Sequence, residues 1–143
     1  MKKSAIAGMV LICFFLYSLP CYCTESSPEQ FVREFYTWYF KADREDFPAE
    51  KNNEIFRYVS RQTVKNLQVR NSRIYYFTKV GSYSSEWAQM ELIVMGYSRI
   101  TDDLFIVPVT FRVTSKDICV IVVLKCENDS FLITKVIDPR FNF

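Results

Sequence analysis

The chain has 143 residues, half of them hydrophobic and 17% aromatic, with a formal net charge of +2 and no histidine. This length suits one domain, and so slight a charge provides no field to hold nucleic acid. Without histidine there is no Ser–His or Cys–His nucleophilic pair.

Met1-Lys2-Lys3 precedes an almost uninterrupted apolar run from Ile6 to Leu19. Two lysines and a short apolar stretch have the form of a secretory signal peptide. The run is shorter than the roughly 20 residues a transmembrane helix needs, and no later segment is long and apolar enough to span. Pro20 ends the run, and Cys21 and Cys23 fit the small-x-small rule for a cut before Thr24. The expectation is therefore a signal peptide over 1–23 and a single periplasmic domain over 24–143. A lipid anchor at Cys21 or Cys23 is the alternative, against which Pro20 and Tyr22 stand directly before those cysteines. Removing Lys2 and Lys3 takes 18 basic residues to 16, against 16 acidic ones, so the exported domain is neutral.

Ser27-Pro28-Glu29-Gln30 predicts a helix start: Ser27 as N-cap, Pro28 at the first helical position and Gln30 closing a capping box. The helix is expected to run to about Ala42. Val32, Phe35, Tyr36 and Tyr39 form one face, widened by Phe31 and Trp38. A polar connection, 43–50, leads to a second predicted helix over about 52–70. There Phe56, Val59, Thr63 and Leu67 share one side, and Arg57, Arg61 and Lys65 make a basic stripe on the other. Residues 71–86 are irregular but rich in rings, with Tyr75, Tyr76, Phe77 and Tyr83.

From Trp87 the hydrophobic period becomes two. Four strands are expected, at about 89–99, 104–114, 118–126 and 131–137, joined by short polar turns that force antiparallel neighbours. Pro108 lacks a ladder donor, so its strand should carry a bulge there or lie at an edge. Gly96 marks a second candidate bend. Helices followed by a curved meander give an α+β fold, with N-terminal helices packed on a four-stranded antiparallel sheet. Such a layout forms a cone with room for a pocket at its wide end.

Cys119 and Cys126 sit seven residues apart in one predicted strand. That is about 23 Å of chain with the side chains on opposite faces, far from the roughly 7 Å a disulfide allows between Cα atoms. No disulfide is expected, and both are read as free structural thiols unless a bulge or turn breaks the strand. Two cysteines without histidine make no four-ligand zinc site, and no metal or cofactor is expected.

The order of elements resembles the nuclear transport factor 2-like (cystatin-like) fold over 28–138. Val32-Arg33-Glu34-Phe35-Tyr36-Thr37-Trp38-Tyr39 and Phe131-Leu132-Ile133-Thr134-Lys135-Val136-Ile137-Asp138 are similar to the first helix and last strand of a family of uncharacterised exported bacterial proteins with this fold. Some members of that group look like immunity proteins, which neutralise cell-wall-cutting toxins. The resemblance implies a protein partner rather than a reaction.

Enzymes of this cone fold, such as those resembling ketosteroid isomerase, use a carboxylate base with phenolic and acidic donors. Tyr36, Tyr39 and Tyr58 could supply the phenol; Asp43, Glu45, Asp46 and Glu91 are the carboxylates at hand. The connector acids read as solvated and Glu91 as an outward strand residue, so no catalytic residue is assigned. A small-molecule pocket would be lined by Tyr36, Tyr39, Phe105, Val107 and Phe111. The surface for a protein partner would comprise Tyr75, Tyr76, Phe77 and Tyr83, rings of the kind in which interfaces concentrate energy, with the stripe Arg57, Arg61 and Lys65. The same rings could instead form a flap over the cone. A homodimer is the other assembly left open.

Overall fold

The computed structural model of the chain describes residues 26–43, 49–70, 73–114 and 116–140. Helix α1 spans Pro28–Asp43. Ser27 caps it, accepting from Gln30 N through Oγ at 3.2 Å. The capping box is only half made, because the Gln30 side chain turns forward and donates to Glu34 at 3.1 Å.

The second predicted helix is two elements. A 3-10 turn at Asn53–Arg57 and helix α2 at Arg61–Val69 are separated by a bridge residue, Val59, and the extended Ser60. The sheet causes the break. Ser60 N donates to Ile133 O at 3.0 Å and Ile133 N to Tyr58 O at 2.7 Å, which holds Val59 as one parallel rung on the sheet edge. Ser60 then caps α2, accepting from Thr63 N, and the Thr63 hydroxyl donates to Thr134 O at 2.8 Å. A continuous helix would leave these edge groups of the last strand without partners, which costs more than a helical turn contributes. The break rotates the buried face: Ile55, Val59, Thr63 and Val64 are buried, whereas Phe56 is exposed.

The strands are β1 (Glu91–Val94), β2 (Ser98–Arg99), β3 (Leu104–Val113), β4 (Lys116–Glu127) and β5 (Ser130–Ile137). They form one antiparallel sheet in the order β1-β3-β4-β5, with β2 also on β3. Strand β3 is therefore central and Pro108 is not at an edge. Its missing donor is accommodated by a bulge in the neighbour. Val94 pairs with Val109 and Ser98 with Ile106, so three residues, Met95-Gly96-Tyr97, stand opposite two. Within them Met95 N donates to Pro108 O at 3.0 Å. The β4–β5 turn is Asn128-Asp129, both left-handed at φ 50° and 62°, the geometry that matches the twist of a two-residue hairpin.

One sheet face carries Val107, Val109, Phe111, Val113, Ile118, Val120, Val122 and Leu124, all buried. Against it α1 lays Val32, Phe35, Tyr36 and Tyr39, none more than 1% exposed. Each such apolar side chain stabilises the fold by roughly 1.5–3 kcal/mol relative to exposure. The architecture is α+β, helices on one antiparallel sheet, as the period change at Trp87 predicted.

Cys119 and Cys126 point to opposite faces, as their spacing requires, but they are not two buried free thiols. Cys119 is free and exposed on the outer face, beside Thr110. Cys126 is disulfide-bonded, to a partner outside the described residues. The spacing argument tested only the bridge between these two and so missed a third cysteine.

Candidate functional site

Tyr76, Phe77 and Tyr83 close the interior rather than display themselves. Phe77 is fully buried, its ring 5.0 Å from Phe35 and 5.4 Å from Tyr39. The Tyr36 hydroxyl donates to the Phe77 carbonyl at 2.8 Å, tying α1 to this segment. Tyr39 and Tyr83 share a hydroxyl contact of 3.3 Å, and Tyr83 meets Thr78 Oγ1 at 2.9 Å. Tyr83 also packs on Trp87 at 4.9 Å. Of the four rings only Tyr75 is well exposed, at 37%. The segment is a flap, and its aromatic content is explained mostly by the core it covers.

The five residues named for a pocket are part of that filled interior. Tyr36, Tyr39, Val107 and Phe111 are buried, with Tyr36 and Phe111 edge to face at 5.0 Å. Phe105 is half-buried, 5.4 Å from Phe131. An open cleft of about 510 Å³ lies elsewhere, outside α1, lined by polar and exposed groups including Lys41, Lys51, Asn52 and Asn53. At its wall Trp38 Nε1 donates to Glu54 at 2.8 Å.

Of the carboxylates considered for acid–base work, Glu91 is the one whose side chain the structure describes, and it stands apart from the buried phenols. Glu91 is on the outer sheet face, exposed and 3.3 Å from Arg112, which also pairs with Asp117. Asp43 ends α1, and Glu45 and Asp46 fall outside the described residues. Tyr36 has a phenol whose pKa burial raises well above the ordinary value, with the neighbouring phenols of Tyr83 and Tyr76 adding to the effect. That makes it a hydrogen-bond donor and not a proton acceptor. Tyr58 is buried between Phe31, Phe35 and Trp38. The buried carboxylate among the described residues is Asp138, and Arg140 holds it, donating from Nε at 2.9 Å and Nη2 at 2.7 Å. The hydrogen bonds from Arg140 lower the Asp138 pKa.

The basic stripe is split by the break before α2. Arg57 lies 5.8 Å over the Tyr58 ring and Arg61 5.4 Å over Phe56, while Lys65 stands exposed on α2. Apart from Phe56, the exposed large apolar groups among the described residues fall in two places. One is the bulge and turn around β2, where Met95, Tyr97 and Ile100 are 51%, 46% and 54% exposed. The other borders the flap: Val69 at the end of α2, Ile74 and Tyr75, next to the half-buried Lys79. In sequence, the only hint of the first was Gly96 within a strand, and of the second only Tyr75 was named, without Val69, Ile74 or Lys79.

No family model matches the chain, and no curated protein matches it. Among solved structures it is similar to a chain of the type VI effector–immunity complex Tae3–Tai3 from Ralstonia pickettii. The two are 28% identical, with a TM-score of 0.71 over 83% of this chain and 100% of that one. The selenomethionine form of that complex matches at 29% identity and a TM-score of 0.68, over 82% of this chain and 99% of the other. The fold is immunity-protein-like. A ring-filled interior under such a fold makes the outer surface, rather than a cavity, the place to look for a partner.

Proposed function

We propose that this protein is a non-catalytic immunity protein, exported to the periplasm, that binds and blocks a cell-wall-degrading toxin. The observation that carries this reading is the similarity to a solved effector–immunity complex over the whole length of the matched chain. Two features of the molecule support it. Buried rings fill the interior in which a small-ligand pocket was expected. Among the described residues, Glu91 and Asp138 are each engaged by an arginine.

Export is the finer part of the proposal. It rests on the Lys2-Lys3 and apolar Ile6–Leu19 pattern and on the disulfide at Cys126, since disulfides persist in oxidising compartments. Cys119 is free, and the other three cysteines all precede Thr24. A bridge within the chain therefore requires the signal cut to fall ahead of the partner of Cys126, upstream of Thr24.

The test combines binding with inhibition. The exported chain is purified from the periplasm and titrated into a panel of peptidoglycan-cleaving type VI effectors, while release of soluble cell-wall fragments is followed. A stoichiometric complex that stops hydrolysis supports the reading. Failure to bind or inhibit any of them overturns it. The N-terminal residue, read by mass spectrometry of the same sample, fixes the cut, and a chain beginning at Thr24 would sink the intramolecular bridge.

A further inference from the structure

The turn Tyr75–Val80 is closed by two backbone bonds of 2.8 Å, Tyr75 N to Val80 O and Lys79 N to Tyr75 O. It puts Lys79 in the left-handed region, φ 56°, which side-chain-bearing residues seldom occupy. Such backbone persists only where the surroundings over-determine it, and it concentrates at ligand clamps and switch regions. The surroundings here are explicit. The Lys79 ammonium lies 3.9 Å from the centre of the Tyr76 ring, and the Tyr76 hydroxyl accepts from Val136 N on β5 at 3.1 Å. Packing against a ring holds this charge in place, and Lys79 forms no ion pair with the described residues.

The charged groups that face Lys79 come from three elements. Arg70, just past α2, and Lys135, on β5, repel it; Asp138, after β5, attracts it. Arg70 and Lys135 are exposed and form no ion pair with the described residues. Asp138 is already committed to Arg140 through both oxygens. Lys79 thus lies in the field of two further cations, Arg70 and Lys135, and of a carboxylate that Arg140 already engages. Around them stand Val69, Ile74 and Tyr75, exposed by 83%, 53% and 37%.

We propose that this rim is the surface on which the protein docks its partner, and that an acidic loop of the partner presents a carboxylate to Lys79 while Val69, Ile74 and Tyr75 take the apolar contacts beside it. The inference rests on the immunity reading and adds to it the place and chemistry of contact. A half-buried ammonium near two cations that form no ion pair among the described residues has a strong local demand for a single anion. The apolar and aromatic border is the composition of a protein interface. An anionic lipid surface would favour a broad positive field, which the balanced charge of residues 24–143 does not supply.

Burial, with the repulsion of Arg70 second, lowers the Lys79 pKa to about 8. A partner carboxylate restores the charged form, so the complex takes up protons near pH 8 and weakens as pH rises above it. Arginine stays charged throughout that range, so Lys79→Arg loses the pH dependence.

The experiment uses the full exported chain against the effector panel, with calorimetry at pH 7 and pH 9 and an unfolding curve for each variant. Native protein is expected to bind and to weaken severalfold between the two pH values. Lys79→Met is expected to bind at least tenfold more weakly with an unchanged or raised unfolding midpoint. Lys79→Arg should bind with little change between pH 7 and pH 9. If Lys79→Met does not fold, Arg70→Ala/Lys135→Ala replaces it, with a three- to tenfold loss expected at low salt. Native binding matched by Lys79→Met, or by that double variant where it stands in, overturns the rim and leaves the immunity reading standing. Absence of binding to any effector removes the immunity reading and the rim together. Co-sedimentation with phosphatidylglycerol vesicles in place of effector binding overturns the protein partner.

Discussion

The segment between Tyr75 and Tyr83 has two sides, and they obey different physics. Inward, Tyr76, Phe77, Thr78 and Tyr83 satisfy hydrogen bonds and stack on rings of α1, so their positions are set by packing and by the cost of an unpaired polar group. Outward, Tyr75 rests on Tyr83 at 4.4 Å and Lys79 on the Tyr76 ring, but Lys79 carries a disfavoured backbone conformation and a partly desolvated charge. Groups that contribute to stability and groups that cost it thus lie a few residues apart. Sites are built where a protein accepts such a cost.

The inward side breaks first. Phe77→Ala empties a fully buried ring site and is expected to cost about 3–5 kcal/mol, measured as a loss of unfolding free energy in urea. Tyr36→Phe keeps the ring and removes one hydroxyl. It leaves the Phe77 carbonyl buried without its donor and is expected to cost about 1–2 kcal/mol in the same measurement. Cost-free loss of that hydroxyl would mean the flap is held by ring packing alone.

At the border between the sides stands Asp138. Its pKa is lowered by Arg140, so the native carboxylate is favoured over the unfolded one. The stabilisation is present above the ordinary aspartate pKa of about 3.9 and disappears as pH falls through the lowered native value. Native protein should therefore lose stability below about pH 4, and Asp138→Asn should flatten that part of the profile. A profile that Asp138→Asn leaves unaltered would place the acid sensitivity elsewhere.

The smallest effect is expected on the outer sheet face, far from the flap. Arg112 spans Glu91 and Asp117, but all three are exposed, and such pairs contribute little. Arg112→Ala should shift neither the thermal midpoint nor effector binding. A marked loss of binding would move the contact surface from the rim to this face.

Much of the architecture was legible because its causes are local. Ser27-Pro28 starts α1 by satisfying backbone groups within one turn, and Phe35, Tyr36 and Tyr39 share a face because a helix repeats every 3.6 residues. Alternation from β3 to β5 and the short polar turns between them specify antiparallel neighbours. What happens between elements was not legible. The helix expected over 52–70 breaks because the edge of β5 takes its backbone at Val59. Pro108 sits in a central strand because a bulge at Met95-Gly96-Tyr97 faces it. Cys126 bonds to a residue remote in sequence. Tyr76, Phe77 and Tyr83 face inward, and Lys79 lies in the field of Arg70, Lys135 and Asp138, which are remote from it in sequence or on other elements. Sequence by itself determined periodicity, caps, turns and the likeness of the first helix and last strand to exported proteins, since each is encoded within a few neighbouring residues. Tertiary structure alone decided which aromatic groups fill the core and which cations collect at its rim, because burial and electrostatic proximity depend on chain segments that sequence order keeps apart.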